Sequence, residues 1–407
     1  MSLSRRVLVL LAGASVVVGA CTGAGATPSP AATGAGGTGS PAATGAGGTG
    51  SPAATTDGAS ACNITVEGDT LQPLEDGFPD QPITIISIDD PGAPDGIYAL
   101  EMKTAIEDNN IIDQRVLTED RPDFGTYGTW EGLEYINNDP AGQEGYILAI
   151  ATIPGATVDL LATDVVEQLG ADIRNLNIIK STEFVPYAMT SRKDAPWGTD
   201  VGALIEHAQQ NPGELRYISR GPGSGLDLAF KQYSQIAAQQ AGLPEGEEGI
   251  PVEEIVGGSH AEINAVLGAG EGDIAMTLSD VAKQFYDDGR VEVLTFSGNA
   301  PAPDPFEVPT MKEHFGEELL PSDPWGQNRT LFGATDMPEC HYEWLIRMVD
   351  LAVATPGFQE QRLAVPGLAL QDLSREEMWE LSETAYENAC PILKTADLID
   401  ATVDPPC

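Results

Sequence analysis

Apolar runs of strand length alternate with segments of helical periodicity through most of the chain. Residues 82–88 (PITIISI) are almost continuously apolar, and the segment after them places Ala99, Met102 and Ile106 at helical spacing. This order of strand, turn and helix recurs as far as residue 297. Because strands separated by helices of about ten residues pair in parallel and are covered on both faces, the pattern predicts an α/β fold.

The same periodicity predicts where the later elements lie. Further strands are expected at 146–152, 175–181, 183–191, 214–219, 252–257, 272–278 and 291–297. Helices are expected at 157–169, 200–213, 226–242, 261–270, 339–368 and 374–389. The proline-rich segment 297–310 interrupts the alternation and is predicted to cross the surface between two lobes.

We expect two α/β lobes linked by more than one crossover. We place the first lobe at residues 62–183 and 306–407, and the second at residues 184–305. Ligands of open α/β sheets bind at the carboxyl ends of the strands, so a cleft between the lobes is the expected binding site.

The amino terminus has the pattern of a secretory signal. Arg5 and Arg6 precede the apolar run 7–18, which is too short to span a bilayer as a helix. The small residues before Cys21 resemble the lipobox of bacterial lipoproteins, in which that cysteine is lipidated. Residues 1–20 are therefore predicted to be a lipoprotein signal peptide. The alternative is an ordinary cleaved signal that leaves Cys21 as a spare thiol.

Residues 21–61 have the composition of a flexible linker. The sequence SPAATGAGGTG occurs at 29–39 and again at 40–50, and the segment carries almost no charge or large apolar side chain. Such a segment buries too little surface to fold. We expect it to tether an extracytoplasmic body to a lipid anchor in the cell membrane, at the cell surface or in a periplasm.

The chain is strongly acidic. It has 62 acidic and 20 basic residues, which give a formal net charge of -42. This charge argues against nucleic acid and anionic membrane surfaces as partners, so the lipid anchor is the expected contact with the membrane. Adaptation to high salt and ordinary solubility both remain open as reasons for the acidity.

Four cysteines follow Cys21. They are Cys62, Cys340, Cys390 and Cys407, and in an exported chain they suggest two disulfides with three possible pairings, or free buried thiols. Cys62 and Cys407 flank the body, so a bond between them is one plausible way to join its ends. The spacing fits no zinc pattern, and no metal is expected.

A glycine-rich turn, SRGPGSGLD, joins a predicted strand to a predicted helix. Gly221, Gly223 and Gly225 allow close approach of the backbone, and the start of the following helix presents N–H groups, which favours an anion. Ser224 and Asp227 also have the spacing of a capping box, so the simpler reading is that they only start the helix.

A second turn follows the first strand of the body. It contains Pro91, Gly92, Ala93 and Asp95 and opens the first helix. The same anion-binding argument applies here. The alternative is a plain connection in which Asp95 caps the helix.

Catalytic motifs are not found around these turns. The glycines match neither a phosphate-binding loop, nor a nucleophile elbow, nor a dinucleotide fingerprint, and the zinc-deaminase pattern that His260 and Glu262 begin is not completed. We therefore predict binding without chemistry: no catalytic residue, no enzyme activity and no cofactor.

Several motifs in order resemble the substrate-binding receptors of tripartite tricarboxylate transporters. They are PGAPD at 91–95, DRPDFGT at 120–126, QEGYILAIAT at 143–152, LIEHAQQNPGELRYISRGPGSGLD at 204–227, GGSHAEINAVLGAGEGDIAM at 257–276 and EVPTMKE at 307–313. Each motif is weak alone, but their order and spacing carry the resemblance from about residue 81 to residue 389.

The resemblance implies a type II periplasmic-binding fold that closes on a small organic carboxylate. Carried over by position, one set of ligand residues is Pro91, Gly92, Ala93 and Asp95, and the other is Ser219, Gly221, Gly223 and Ser224. Thr152 and Thr277, near two strand ends, are further candidates. Backbone N–H groups and bridging waters hold the carboxylate in such receptors.

The sequence also departs from the family pattern. Arg220 stands where the family has a small residue and offers a bidentate carboxylate contact, or else a solvated or paired arginine. Asp227 replaces a common histidine, and Thr277 a common aspartate. Phe124, Tyr127 and Trp130 lie near small family residues, so the identity of the ligand does not carry over.

The function expected from the resemblance is that of a monomeric receptor. It would deliver a carboxylate to integral membrane transporter subunits. A receptor of the same fold that serves a sensor is one alternative, and a secreted hydrolase that uses Ser224 is another.

Overall fold

The computed structural model describes residues 62–88, 92–124, 127–153, 155–161, 166, 168–221, 223–244, 246–258, 260–299, 302, 306–365 and 367–395. The predicted signal, Cys21, the linker up to residue 61, Pro91 and Cys407 lie outside these residues. The described residues all belong to one compact unit. Among the residues described, none of the helices is both long and apolar enough to cross a membrane.

Twelve strands lie within the described residues. They are β1 (Val66–Glu67), β2 (Thr70–Leu71), β3 (Ile83–Ser87), β4 (Val116–Asp120), β5 (Ile147–Ile153), β6 (Asn177–Arg192), β7 (Leu215–Ser219), β8 (Val252–Val256), β9 (Ile274–Leu278), β10 (Val291–Phe296), β11 (Gly326–Gly333) and β12 (Ala369–Leu373).

Twelve α-helices can be placed in the same part of the chain, with a 3₁₀ turn at Ile173–Asn175. They are α1 (Pro94–Asp108), α2 (Gly128–Asn138), α3 (Pro140–Gln143), α4 (Gly155–Asp159), α5 (Val201–Gln210), α6 (Gly225–Ala241), α7 (His260–Gly268), α8 (Ser279–Asp287), α9 (Met311–Phe315), α10 (Glu339–Val353), α11 (Pro356–Leu363) and α12 (Arg375–Thr395).

One long strand, β6, joins two halves of a sheet. The strand order is β4-β3-β5-β11-β6-β9-β7-β8, and β10 and β12 also pair with β6. The first part of β6, as far as Pro186, pairs with β11, and the part from Tyr187 to Ser191 pairs with β9. Separate apolar cores pack on the two halves, one around Trp130 and Trp344 and the other around Tyr233 and Trp325. We call these halves the first and second lobe.

The strand directions make the two lobes face each other. β5 and β6 are both antiparallel to β11, so β5 runs toward the second lobe, and β3 runs parallel to β5. β9 is antiparallel to β6 with Leu278 opposite Tyr187, so β9 runs toward the first lobe together with its parallel neighbours β7 and β8. The carboxyl ends of both parallel sets therefore meet across the middle of β6.

The α/β prediction is confirmed. Strands β3, β5 and β7 to β10, and helices α1, α5, α6 and α7, lie where the periodicity places them. The predicted helix at 157–169 falls partly outside the described residues. The boundaries predicted for the two lobes remain predictions.

Three details differ from the sequence analysis. The strands predicted at 175–181 and 183–191 are one strand, β6, because the polar residues Thr182 and Glu183 at the expected break are buried and hydrogen-bonded. The sheet is mixed rather than parallel, since β10, β11 and β12 are antiparallel to β6. Strands β1, β2, β4, β11 and β12 and helices α2, α3, α8 and α9 were not predicted.

A disulfide joins Cys62 to Cys340. The bond suggested between Cys62 and Cys407 is therefore wrong, because Cys62 pairs with the first turn of α10 instead. Cys390 is also disulfide-bonded. The Cys62–Cys340 bond fastens the start of the body to a helix of the first core.

We expect Cys62→Ser to lower the free energy of unfolding by about 2–5 kcal/mol, because the bond closes a very long loop in the unfolded chain. Urea unfolding of oxidised wild-type and variant protein measures this loss. Cys340→Ser removes the same bond and serves as the matched variant, so it should lose a similar amount. An unchanged urea midpoint in both variants would contradict the prediction.

Candidate functional site between the lobes

The first predicted turn opens α1 at the carboxyl edge of the first lobe. Gly92 has a φ of +83°, which favours glycine, and Ala93 is the extended residue before Pro94 starts the helix. Asp95, in the first helical turn, is only 2% exposed. The structure therefore buries the one charged residue of this turn.

Asp95 is held by an arginine that the sequence analysis did not single out. Arg329 of β11 is fully buried, and its Nε donates to Asp95 Oδ1 at 2.8 Å, while its Nη1 donates to Glu183 Oε1 at 2.5 Å. In the sheet register, Arg329 lies opposite both Glu183 and Thr152. Opposed residues share a face of the sheet, so Asp95, Thr152 and Arg329 are brought to one place.

A second arginine, Arg362, also binds Glu183. Together with Asp95, Glu101 and Arg329 these residues form one ion-pair group. Arg362 of α11 donates from Nε and Nη2 to Glu183 and from Nη1 to Glu101, each at 2.7 Å. All three of its nitrogens are therefore engaged. In contrast, Arg329 Nη2 is buried and has no hydrogen-bond partner among the described residues.

The second predicted turn satisfies several of its own N–H groups. The N–H of Gly221 donates to Ser219 Oγ at 3.0 Å, and the Ser219 hydroxyl bonds in turn to Glu254. The N–H of Gly223 donates to Asp227 Oδ2 at 2.9 Å. A ligand that used these two N–H groups would have to displace acceptors that belong to the chain itself.

The helix-starting role of Ser224 is confirmed. It is the N-cap of α6, and its Oγ accepts from the N–H of Asp227 at 3.3 Å. Asp227 is buried and also accepts from Lys231 Nζ at 2.7 Å, while its Oδ1 has no hydrogen-bond partner within the described ranges. Burial raises the pKa of Asp227 and outweighs the opposing effect of Lys231.

Arg220 belongs to a polar cluster with His260. Its Nη1 lies 3.3 Å from His260 Nε2, and His260 Nδ1 lies 3.5 Å from Thr277 Oγ1. The amide of Asn264 donates to Thr277 Oγ1 at 3.0 Å. Since a guanidinium only donates, His260 Nε2 carries the lone pair and Nδ1 carries the hydrogen that faces Thr277.

Two positive charges act on His260. Its burial among surrounding protein atoms, followed by the charges of Arg220 and Arg329, lowers the pKa of His260 to about 3. Arg220 belongs to the second lobe and Arg329 to the first. The two clusters thus lie within electrostatic reach of each other across the middle of β6.

Tyr187 lies at that midpoint and supports the start of α6. It is buried opposite Leu278 in the sheet register. A Cβ at Gly225 would come within 2.8 Å of its hydroxyl oxygen, so the first helical position admits only glycine without a shift. Burial raises the pKa of Tyr187, and the charge of Arg220 opposes this rise.

Two surface hollows lie away from these residues. One, of about 340 Å³, contains Arg192 and Arg216, which both pair with Asp273. The other, of about 520 Å³, contains Phe124 and four carboxylate residues. Neither is lined by a predicted ligand residue, so we place the candidate site where the strand ends converge.

The structure thus sorts the predicted site residues into two groups. Asp95 and Thr152 join Arg329, while Arg220 and Thr277 join His260. Ser219, Gly221, Gly223 and Ser224 bond mainly within their own turn. Pro91 lies outside the described residues, and within those residues the structure shows no group of three or more potential metal ligands.

Comparisons with known proteins bear on the fold. No family model matches the chain. A UPF0065 protein of Bordetella pertussis is 26% identical over 156 residues, which cover 38% of this chain and 45% of that protein. The periplasmic binding protein BugD has a TM-score of 0.60 at 16% identity, covering 79% of this chain and 99% of its own. A protein of R. palustris with adipate has a TM-score of 0.59 at 18% identity, covering 79% and 98%.

The resemblance to the tripartite tricarboxylate receptor family is thereby confirmed. This chain spans less than half of the length of its Bordetella relative, and the structures share the receptor fold at low identity. The BugD structure is described as that of a periplasmic binding protein.

We expect His260 to stay neutral down to about pH 4, one unit above the pKa of about 3. Its folded pKa lies below its ordinary value of 6.5, so its contribution to stability is present above pH 6.5 and is lost as the pH falls toward 3. Arg220→Gln should raise the pKa of His260, because one of the two positive charges is removed. An NMR titration of the imidazole C–H resonances, assigned with His260→Gln, measures the shift.

Arg290→Gln is the matched control for this titration. Arg290 is an exposed arginine of the same lobe that does not contribute to the pKa of His260. The control should therefore leave the His260 titration unchanged. If Arg220→Gln and Arg290→Gln behave alike, Arg220 does not contact His260 in solution.

Proposed function

We propose that this protein is an extracytoplasmic, lipid-anchored receptor that captures a small organic carboxylate between its lobes. One observation carries the proposal: Arg220 of the second lobe contacts His260 where the carboxyl ends of the strands meet, and the charge of Arg329 in the first lobe also acts on this histidine. An arginine fork matches the geometry of a carboxylate, and a neutral imidazole beside it adds a hydrogen-bonding group.

The local charge of the site differs from that of the whole chain. An overall charge of -42 repels anions at long range and slows their association unless salt screens it. At the site, however, the charges that act on His260 are both positive. Short-range contacts with these groups therefore decide affinity, while the acidic surface affects mainly the rate of association.

Delivery to membrane transporter subunits is the role that fits the family resemblance. The lipobox-like segment before Cys21 and the linker would hold the body near the membrane. The neighbouring structure with adipate supports a carboxylate as the solute. A hydrolase that uses Ser224 is disfavoured, because the hydroxyl of Ser224 caps α6.

A thermal-shift screen tests the proposal. A carboxylate present at 100 times its dissociation constant should stabilise the protein by about 2.7 kcal/mol and raise the melting temperature. Adipate, malate, citrate and benzoate cover dicarboxylates, hydroxy acids, tricarboxylates and aromatic acids. If none of these or related acids stabilises the wild-type protein at millimolar concentration, the proposed function fails.

Arg220→Ala extends the screen to the site itself. We expect it to weaken binding of the best carboxylate at least about tenfold, since hydrogen bonds to charged groups contribute roughly 1.5–3 kcal/mol. Isothermal titration calorimetry measures the change, and Arg290→Ala controls for the loss of one positive charge from the same lobe. Equal affinities of the Arg220→Ala and Arg290→Ala variants would show that Arg220 does not contact the ligand.

A further inference from the structure

One nitrogen of the Arg329 guanidinium is not engaged in a hydrogen bond to any described residue. Its Nε and Nη1 are bound to Asp95 and Glu183, whereas Nη2 is buried and meets no hydrogen-bond partner in the part of the chain that the structure describes. A buried donor that lost its bond to water costs free energy until an acceptor reaches it, and the cost is larger for a charged group. Arg362 in the same ion-pair group has no such spare nitrogen.

Three neighbours place this spare donor at the candidate site. Asp95, which holds Nε, belongs to the turn that opens α1. Thr152 lies opposite Arg329 near the carboxyl end of β5 and is half-buried. The positive charge of Arg329 also helps to lower the pKa of His260, so Arg329 lies within electrostatic reach of the second lobe.

We propose that Arg329 is a specificity-determining residue that donates from Nη2 to a carboxylate oxygen of the bound solute. This inference rests on the proposed function and deepens it. In this proposal the buried side chain of Arg329, on the central strand β11, recognises the solute in addition to the backbone of the two turns. The N–H groups of Gly221 and Gly223, by contrast, already have acceptors within the chain.

Asp95 and Glu183 make such a donor specific. Their bonds to Nε and Nη1 fix the orientation of the Arg329 guanidinium, so the position of Nη2 is set before a ligand binds. A preorganised donor loses less conformational entropy on binding than a flexible one. The oxygen that meets it should therefore be recognised strongly, and a ligand with a carboxamide in place of that carboxylate should bind much more weakly.

Arg329→Lys and Arg362→Lys form a matched pair of variants. Both keep a positive charge beside Glu183, and both shorten a buried arginine of the same group, but only the first removes the spare nitrogen. Binding of adipate, malate and citrate, and of the monoamide of whichever binds most tightly, is measured by calorimetry for wild type and both variants. Urea unfolding reports the stability of each variant separately.

The wild-type protein and Arg362→Lys are expected to prefer the carboxylate over its monoamide by about 10-fold to 100-fold, and Arg329→Lys to lose most of this preference. If Arg329→Lys keeps the wild-type ratio, or if Arg362→Lys loses it equally, the inference is overturned while the proposed function stands. If the wild-type protein binds no carboxylate, the proposed function fails and the inference fails with it.

A structure of the wild-type protein with the bound acid decides the matter if Arg329→Lys does not fold. A carboxylate oxygen within about 3.2 Å of Arg329 Nη2 supports the inference. An ordered water on Nη2, with the ligand carboxylate beyond hydrogen-bond distance of both, overturns it.

Discussion

The antiparallel pairing of β11 with β6 is the constraint on which the candidate site depends. This register sets Arg329 opposite Glu183, and the pairing of β11 with β5 sets it opposite Thr152. A slip of one residue would turn Arg329 to the other face of the sheet, away from Asp95. A buried arginine without its carboxylates is strongly destabilising, so the ion pairs exclude that alternative register.

The ion-pair group has a positional role rather than a simple stabilising one. Desolvation of buried charges offsets much of their attraction, and such groups are weak evidence for stability. Arg329 and Arg362 link α1, α11 and the central strands through ion pairs with Asp95, Glu101 and Glu183. The start of α1 thereby has a defined place relative to β11, which a surface turn alone would not provide.

Sequence periodicity predicted the elements whose buried faces are apolar, such as β3, β9 and α6. It failed where buried positions are polar. Thr182 and Glu183 suggested a break in β6, and the charged Arg329 kept β11 from being recognised as a strand. The hydrogen-bond partners that allow these three residues to be buried lie more than 80 positions away in the sequence. A charged residue inside an apolar strand run, as in NRTLFG, is the signal that would have pointed to Arg329.

The two turns were found from glycine and helix-start patterns, but their hydrogen bonding was not predictable. That Ser219 Oγ and Asp227 Oδ2 accept from the N–H groups of Gly221 and Gly223 depends on side-chain rotamers. His260 was noticed only as the start of an incomplete metal motif. Its contact with Arg220 joins residues 40 positions apart, which spacing along the sequence does not reveal.

Both helices that open onto the site carry a buried carboxylate in their first turn, Asp95 in α1 and Asp227 in α6. Each complements the positive end of its helix dipole, so the chain itself supplies the charge that a bound anion would otherwise provide. An anionic solute at the same two helix starts would meet these carboxylates. Recognition of an anion is therefore shifted onto cationic side chains, and Arg220 and Arg329 are the two whose charges meet at His260.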